Sequence, residues 1–409
     1  MAPEFHVDLG PQYEGESIRK EDFYVEFGGP DIRHKFERAT LKSPEEVEHE
    51  KVEIIGSDIK DLEEGGSYPL AILIDVTGEE LEPDMEPVIE RRIHMYSNYV
   101  EGLWHMAQRN DIWLRLSKDA FKKGLNSLRE IGEIYNFLFT SESPQIEKIQ
   151  TTFITDEKRI EELLPSALEV YEARDARARA LKDEDVDEFY YCVLCQSFAP
   201  THTCIVTPSR LANCGAMNWF DCKAAYKLDP EGPIAGFAKG ECLDPIKGEF
   251  SGANKIVAEK SLGNYDRVYL HSAFEHPHTS CGCFQAICFY IPEVDAFGII
   301  HRDYAGLTPA GLKFSTMAGD TSGGRQVEGS CGMALELLRS AKFFQADGGR
   351  KRIVWLPKEI KERYKELLEA DGIYGKIATE EDVTNTDELA VFLEKVGHPW
   401  IKGEVELPE

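Results

Sequence analysis

Four cysteines near the middle of this 409-residue chain have the spacing of metal ligands: Cys192, Cys195, Cys204 and Cys214. They follow the pattern C-x2-C-x8-C-x9-C. Thiolates are soft ligands that suit zinc and iron–sulfur clusters. Structural zinc sites usually combine two close pairs of ligands, whereas this stretch has one C-x2-C pair and two single cysteines. The spacing therefore favours a 4Fe-4S cluster, and the alternative is four unrelated buried cysteines.

A second pair of thiols, Cys281 and Cys283, is separated by a single residue, Gly282. Two thiolates and the backbone nitrogens of Gly282 and Cys283 can surround one metal ion in a plane if both amides lose their protons. Square-planar coordination with nitrogen donors is typical of Ni(II) or Cu(II). Glycine is expected between the thiols because it tolerates unusual backbone dihedrals and adds no side chain beside the metal. A reactive dithiol and two buried cysteines are the alternative interpretations.

Two histidines, His276 and His278, precede this pair, so a zinc site of the form H-x-H-x2-C-x-C is a further alternative. Polar turn residues that fix the cysteines are an equally good interpretation of them. The other thiols lack paired spacing and are predicted to be buried or incidental: Cys222, Cys242, Cys288 and Cys331.

Residues 319–326 nearly match a phosphate-binding P-loop. Arg325 and Gln326 stand where a lysine and a hydroxyl residue are needed. Because no hydroxyl would bind Mg²⁺, nucleotide hydrolysis is not expected. We interpret this segment as a structured glycine-rich loop.

The charge of the chain excludes some classes of partner. Its formal net charge is -28, which disfavours binding to nucleic acid or to a membrane surface. The first residues lack the pattern of a signal peptide, and no run of about 18 apolar residues predicts a membrane span. A cytoplasmic location is therefore expected. In a reducing compartment, ten cysteines are better explained as metal ligands or buried thiols than as disulfides.

Strands and helices alternate in the predicted pattern of the first part of the chain. An apolar run at residues 69–77 predicts a buried strand, and apolar residues at helical spacing predict a long helix over 86–109. Shorter elements follow: a strand at 112–116, a helix that begins at Ser117, a helix at 125–139 and a strand at 148–155. The charge-rich residues 156–186 predict a helix that joins two domains, and Pro165 is expected to interrupt or kink it.

The second part of the chain contains all ten cysteines, between Cys192 and Cys331. Strands are predicted at 255–259, 267–271, 287–291, 297–301 and 352–356, and helices at 357–368 and 382–396. We therefore predict an α+β (mixed α/β) fold with two domains. A smaller α/β domain at 1–164 has no visible metal ligands, and a larger α+β metal-cluster domain occupies 165–409.

Both cysteine patterns resemble those of the acetyl-CoA synthase family, which includes the β subunit of the archaeal acetyl-CoA decarbonylase/synthase complex. The segments CVLCQSFAPTHTC, FEHPHTSCGCF, IPEVDAFGIIHRDY and SGGRQVEG carry the resemblance, which covers essentially the whole chain. Long bacterial members begin with a further domain that docks on carbon monoxide dehydrogenase. This chain resembles the form that lacks that domain.

The resemblance implies a specific set of ligands. Cys192, Cys195, Cys204 and Cys214 would hold a 4Fe-4S cluster, and Cys195 would also bridge it to a proximal nickel. Cys281 and Cys283 would bridge this nickel to a distal nickel, which the backbone nitrogens of Gly282 and Cys283 complete. Phe198 matches the aromatic residue that stands over the proximal nickel.

The function that the resemblance implies is that of an acyltransferase. CO, a methyl group from a corrinoid iron–sulfur protein and CoA as substrate would be joined into acetyl-CoA, or the reverse, with carbon monoxide dehydrogenase as the source of CO. Two hypotheses from other classes are a non-catalytic 4Fe-4S electron-transfer protein and a structural zinc protein. The electron-transfer hypothesis leaves Cys281 and Cys283 unexplained.

Overall fold

The chain folds into two compact units that divide between Ala176 and Arg177. A computed structural model describes residues 4–408. Both units combine helices with sheets, which confirms the predicted α+β fold class. The division lies within a long helix that also contains the predicted domain boundary, between residues 164 and 165. In residues 4–408, no helix has the length and apolar character needed to cross a bilayer.

The first unit contains two four-stranded sheets. Its strands are β1 (Phe23–Gly28), β2 (Lys35–Leu41), β3 (Lys51–Ile55), β4 (Gly66–Tyr68), β5 (Leu70–Thr77), β6 (Leu103–Met106), β7 (Trp113–Ser117) and β8 (Lys148–Ile154). Its helices are α1 (Glu86–Ser97), α2 (Lys118–Lys123), α3 (Leu128–Glu142) and α4 (Glu157–Arg179).

The strand orders of these two sheets are β4-β1-β7-β6 and β2-β5-β8-β3. Strand β5 is parallel to β2 and antiparallel to β8, so it lies inside its sheet, as its continuous apolar run predicts. The Ser117 hydroxyl accepts a hydrogen bond from the Ala120 N–H and caps α2. The predicted strands and this helix start are therefore confirmed.

Helix α1 ends at Ser97, so the helix predicted over 86–109 is too long. The amide oxygen of Asn98 accepts the His105 N–H at 2.8 Å, and its nitrogen donates to the His105 carbonyl at 3.0 Å. This pair of bonds turns the chain back into β6. The apolar residues beyond Ser97 therefore belong to a turn and a strand that happen to continue the helical spacing.

Pro165 lies inside α4 and does not interrupt it, so of the predicted interruption or kink the interruption is wrong, and the kink stays a prediction. A proline in a helix leaves the carbonyl four residues earlier, here that of Glu161, without its usual N–H donor. Both Pro165 and Glu161 are exposed. Water can therefore hydrogen-bond the Glu161 carbonyl, and the helix continues at a modest cost.

The second unit contains three sheets with the strand orders β10-β9-β11, β12-β13 and β16-β14-β15-β17. Its strands are β9 (Glu188–Cys192), β10 (Cys204–Val206), β11 (Ile234–Ala238), β12 (Cys242–Asp244), β13 (Glu249–Phe250), β14 (Ala286–Ile291), β15 (Ala296–His301), β16 (Ser330–Met333) and β17 (Ile353–Trp355). Its helices are α5 (Trp219–Leu228), α6 (Ser251–Lys260), α7 (Phe314–Thr321), α8 (Lys358–Arg363), α9 (Lys365–Ala370) and α10 (Thr386–Val396).

Two predicted strands of this unit are wrong. Residues 255–259 belong to helix α6, which buries Ala253 and Val257, four residues apart on one helical face. Residues 267–271 form no strand, and residues 270 and 271 lie in a turn. Val268 and Leu270 are buried in the same apolar cluster as α6, whereas their N–H groups bond to the Asn254 side chain of α6 and to the Gly248 carbonyl. The alternate apolar residues are therefore buried, but no neighbouring strand satisfies their backbone.

We expect Asn98→Ala to lower the free energy of unfolding by roughly 2–4 kcal/mol, because it leaves the N–H and the carbonyl of His105 buried without partners. Chemical denaturation of the first unit measures this loss. Asn126→Ala, at an exposed position, is the control and should change the value by less than about 0.5 kcal/mol. Equal effects of the two variants would contradict the role given to Asn98.

Candidate metal centre

The first pair of predicted ligands lies on two adjacent strands. Cys192 ends β9 and Cys204 begins β10, and the two residues are direct partners across this antiparallel pair. Both side chains are buried. Directly opposite residues in such a pair have Cβ atoms roughly 4.5–5.5 Å apart. The sheet register therefore holds these two thiols side by side.

Cys195 and Cys214 lie in tight turns next to this pair. Cys195 is in a single 3-10 turn, Leu194–Ser197, and its carbonyl accepts the Ala199 N–H at 2.9 Å. Cys214 precedes Gly215, which has φ +75°. This positive φ would strain any residue with a side chain, and a Cβ atom at Gly215 would also lie 2.3 Å from Oε1 of Gln285.

The Cys195 thiol meets the thiols of the second cysteine pair. Hydrogen bonds with Cys281 and with Cys283, together with burial, raise the pKa of Cys195 well above its usual range. Cys281 and Cys283 are fully buried, and all ten cysteines are free thiols. Without a cation, a thiolate here would lie in a buried site beside other sulfur atoms. A bound metal ion supplies the missing positive charge, so these residues fit a metal site.

Phe198 covers the tripeptide Cys281-Gly282-Cys283. Its Cε2 atom lies 3.4 Å from the position that a Cβ atom on Gly282 would occupy. The sequence suggested two reasons for glycine at this position: unusual backbone dihedrals and the absence of a side chain. The φ of Gly282 is outside the left-handed region, so unusual dihedrals do not explain its presence. The second reason holds, because the missing side chain lets the half-buried Phe198 ring pack on the backbone.

The two histidines do not join the thiols, so the alternative zinc site is wrong. His276 is exposed. Nδ1 of His278 lies 2.7 Å from the Thr279 carbonyl, to which it donates, and its Nε2 accepts the Ile205 N–H at 2.9 Å. With both ring nitrogens used by the backbone, His278 has no lone pair for a metal ion.

The glycine-rich loop predicted at 319–326 connects the two cysteine segments through residues 322–326, whereas residues 319–321 belong to α7. The N–H of Gly323 donates to the Cys281 carbonyl at 3.0 Å, and that of Gly324 donates to the Ser280 carbonyl at 2.8 Å. On the other side, the Thr201 hydroxyl donates to the Gly324 carbonyl at 2.8 Å. The loop is structured, as predicted, and holds one cysteine segment against the other.

Two family models match the chain, one after the other. The model described as CO dehydrogenase/acetyl-CoA synthase complex beta subunit matches residues 5–160. The model that describes the C-terminal part of the ACS/CODH beta subunit matches residues 171–405.

Curated relatives agree with these models. The acetyl-CoA decarbonylase/synthase complex subunit beta of Archaeoglobus fulgidus is 54% identical over 98% of this chain and 76% of that protein. The protein of the same name from Methanopyrus kandleri is 53% identical over 98% of this chain and 86% of its own length. Acetyl-CoA decarbonylase/synthase complex subunit beta 2 from Methanocaldococcus jannaschii is 52% identical over 99% of this chain and 86% of its own length. The chain belongs to the acetyl-CoA decarbonylase/synthase β-subunit family. The resemblance stated from the cysteine patterns is thereby confirmed.

Sequence reasoning missed His202 as a neighbour of the thiols in this family member. Its Nε2 lies 3.1 Å from the Cys204 sulfur, and its Nδ1 lies 3.0 Å from the Thr279 hydroxyl. Burial lowers the pKa of His202 to about 4, so the ring is neutral at pH 7. A thiolate at Cys204 can only accept a hydrogen bond, which places the proton on Nε2. The sequence signal that could have identified His202 was its position two residues before Cys204, in the segment THTC.

Arg302 was also missed. Its Nη2 donates to the carbonyl of Gly282 at 2.9 Å and to that of Phe284 at 2.5 Å. The side chain is buried. Its position directly after the buried strand β15 gave a weak signal, because nothing local to the sequence shows that this strand ends beside the tripeptide.

The four remaining cysteines differ in their surroundings. Cys222, Cys288 and Cys331 are buried, whereas Cys242 is exposed. Burial, followed by the charge of Cys192, raises the pKa of Cys222 well above its usual range, and Cys204 and Cys214 add to this effect. Cys222 therefore lies near the four-cysteine group, although its spacing did not include it there.

We expect Gly324→Ala to destabilise the loop by more than about 2 kcal/mol. Gly324 has φ +79°, and a Cβ atom there would lie 2.7 Å from the backbone nitrogen of His202. Chemical denaturation of the metal-free, reduced protein measures the loss.

Gly319→Ala is the matched control for this prediction. Gly319 lies in α7, and an added Cβ atom would meet nothing within 4 Å. It should be neutral or stabilising by up to about 1 kcal/mol. If both variants unfold like the parent protein, the loop does not hold the two segments together.

Proposed function

We propose that this chain is an acetyl-CoA synthase/decarbonylase that joins CO, a corrinoid-borne methyl group and CoA into acetyl-CoA, and catalyses the reverse. The observation that carries the proposal is the contact of the Cys195 thiol with those of Cys281 and Cys283. A 4Fe-4S cluster needs four thiolates, so a simple electron carrier has no use for the additional pair. Membership of the family supports the same activity.

In this proposal, the ligand set is the one implied by the resemblance. Cys192, Cys195, Cys204 and Cys214 would hold the 4Fe-4S cluster. Cys195, Cys281 and Cys283 would hold the proximal nickel. Cys281, Cys283 and the backbone nitrogens of Gly282 and Cys283 would hold the distal nickel.

The bound metals would supply the coordination positions at which CO and the methyl group are brought together. The residues of the chain bind and orient this group and keep water away from it. Phe198 packs over Gly282 and would limit access to the proximal nickel. The His202 N–H beside Cys204 would fix this thiolate and adjust the electron density on it.

Partners and location follow from the same proposal. A corrinoid iron–sulfur protein would deliver the methyl group, and carbon monoxide dehydrogenase would supply CO. We expect a cytoplasmic location, because a reducing compartment keeps ten free thiols reduced.

Cys283→Ser tests the proposal as a whole. It should lose most of the bound nickel but keep the iron, because Cys283 belongs only to the nickel ligands. Loss of an outer-shell partner of a metal ligand costs roughly 10–100-fold in activity. Loss of the ligand Cys283 itself should lower acetyl-CoA synthesis by more than that. Elemental analysis and a synthesis assay after nickel loading measure both effects.

The control for this variant is Cys242→Ser, at an exposed cysteine outside the set, which should retain both metals and activity. Iron without nickel in the parent protein would instead support an electron carrier. Full activity of nickel-loaded Cys283→Ser would contradict the ligand assignment.

Phe198→Ala should change the dependence of activity on CO concentration while leaving the iron and nickel contents intact. The physical reason is that the variant removes the half-buried ring over Gly282 but no ligand. Rates measured over a range of CO pressures, with Phe198→Tyr as the conservative comparison, check this. An unchanged CO dependence would count against a gating role for Phe198.

A further inference from the structure

We propose that Arg302 compensates the negative charge that a nickel ion bound by Cys281-Gly282-Cys283 leaves on this tripeptide. The inference rests on the proposed function, because it takes the two backbone amides to bind nickel in deprotonated form. Arg302 is not a ligand, and it would act through the Gly282 carbonyl as a positioning residue.

The charge of the tripeptide favours such a cation. Two thiolates and two deprotonated amides carry four negative charges, and the distal Ni²⁺ neutralises two of them. The proximal nickel of the proposed ligand set would contact the thiolates but not the amides. Four protons leave to the buffer when the ion binds. Cys281 and Cys283 are 1% and 0% exposed, and an uncompensated charge in a buried site is strongly destabilising.

The charge of a deprotonated amide is shared with the carbonyl oxygen of the same peptide bond through resonance. The peptide that contributes the Cys283 nitrogen carries the Gly282 oxygen, and Arg302 Nη2 lies 2.9 Å from that oxygen. The peptide that contributes the Gly282 nitrogen carries the Cys281 oxygen, which accepts the Gly323 N–H at 3.0 Å. Each of the two oxygens therefore has a donor in place.

In the part of the chain that the structure describes, residues 4–408, Arg302 forms no salt bridge with a carboxylate. The side chain is 7% exposed, and its Nη2 bonds are to carbonyl oxygens. Within residues 4–408, its Nε is buried without a hydrogen-bond partner. The guanidinium lies over the ring of Phe314, whose centroid is 5.7 Å from Cζ. A buried guanidinium in this setting needs an anion, and an anionic tripeptide would be one.

The glycine-rich loop thereby has a chemical role in addition to its structural one. Gly323 has φ +85°, a conformation that glycine adopts without strain, and it directs its N–H to the Cys281 oxygen. Because the donor is a backbone group, no side-chain substitution removes it. Arg302 is therefore the donor that mutagenesis can test.

The experiment compares Arg302→Gln with Arg302→Lys in the full-length protein. Glutamine keeps an N–H donor but no charge, whereas lysine keeps the charge. Affinities for Ni²⁺ and for Zn²⁺ are measured by competition with a chelator, and the absorption of planar Ni(II) is recorded. Zinc binds through thiolates and needs no deprotonated amide.

We expect Arg302→Gln to weaken nickel binding by about 10–100-fold, to reduce the planar Ni(II) absorption, and to change zinc binding far less. Arg302→Lys should retain more nickel than Arg302→Gln. Arg267→Gln, which removes a charge from a side chain that is 43% exposed, should leave both affinities unchanged.

Three outcomes separate the explanations. Equal losses of nickel and zinc in Arg302→Gln would mean that Arg302 only supports the fold, and nickel binding as tight as in the parent protein would remove any role; either overturns the inference. If the parent protein itself shows no planar Ni(II) absorption after nickel loading, the proposed function fails, and the inference fails with it.

Discussion

The constraint on which the second unit depends is the burial of several thiols from distant parts of the chain in one place. Cys195 contacts Cys281 and Cys283, and the cost of charging Cys195 beside them appears in its raised pKa. Such a group is stable as neutral thiols or as metal-bound thiolates, but not as free thiolates. The thiols must therefore either keep their protons or bind metal ions. For the metal-bound form, the fold must also supply hydrogen-bond donors that suit the charged thiolates.

Irregular structure, more than the sheets, satisfies this constraint. The β9–β10 pair places Cys192 beside Cys204, but the other candidate ligands lie in turns and loops. Hydrogen bonds from the glycine-rich loop hold the segments around Thr201 and Cys281, with Gly323 and Gly324 both at positive φ. Loop residues on a rigid scaffold commonly carry function, and here the loop also joins the two cysteine segments.

Sequence alone predicts which thiols are candidate ligands, but not what surrounds them. Spacing singled out six thiols because ligands close in sequence leave a local pattern, and the structure brings Cys195 together with Cys281 and Cys283. Strands β5 and β14 were found because they are continuously apolar. The end of α1 depends on Asn98 reaching His105, and His202 and Arg302 act through single contacts across the fold. Contacts of this kind leave no periodic signal, so only the structure shows them.

The hydrogen-bond donors at the tripeptide Cys281-Gly282-Cys283 also determine which of its backbone atoms remain available to a metal ion. In a trans peptide the N–H and the carbonyl point in opposite directions. Gly323 and Arg302 hold the oxygens of Cys281 and Gly282, so the planes of both peptides are fixed through their oxygen edges. The nitrogen edges consequently face away from these donors. The planar ligand set of two nitrogens and two sulfurs proposed above would require that separation, and one backbone N–H and one buried arginine would provide it.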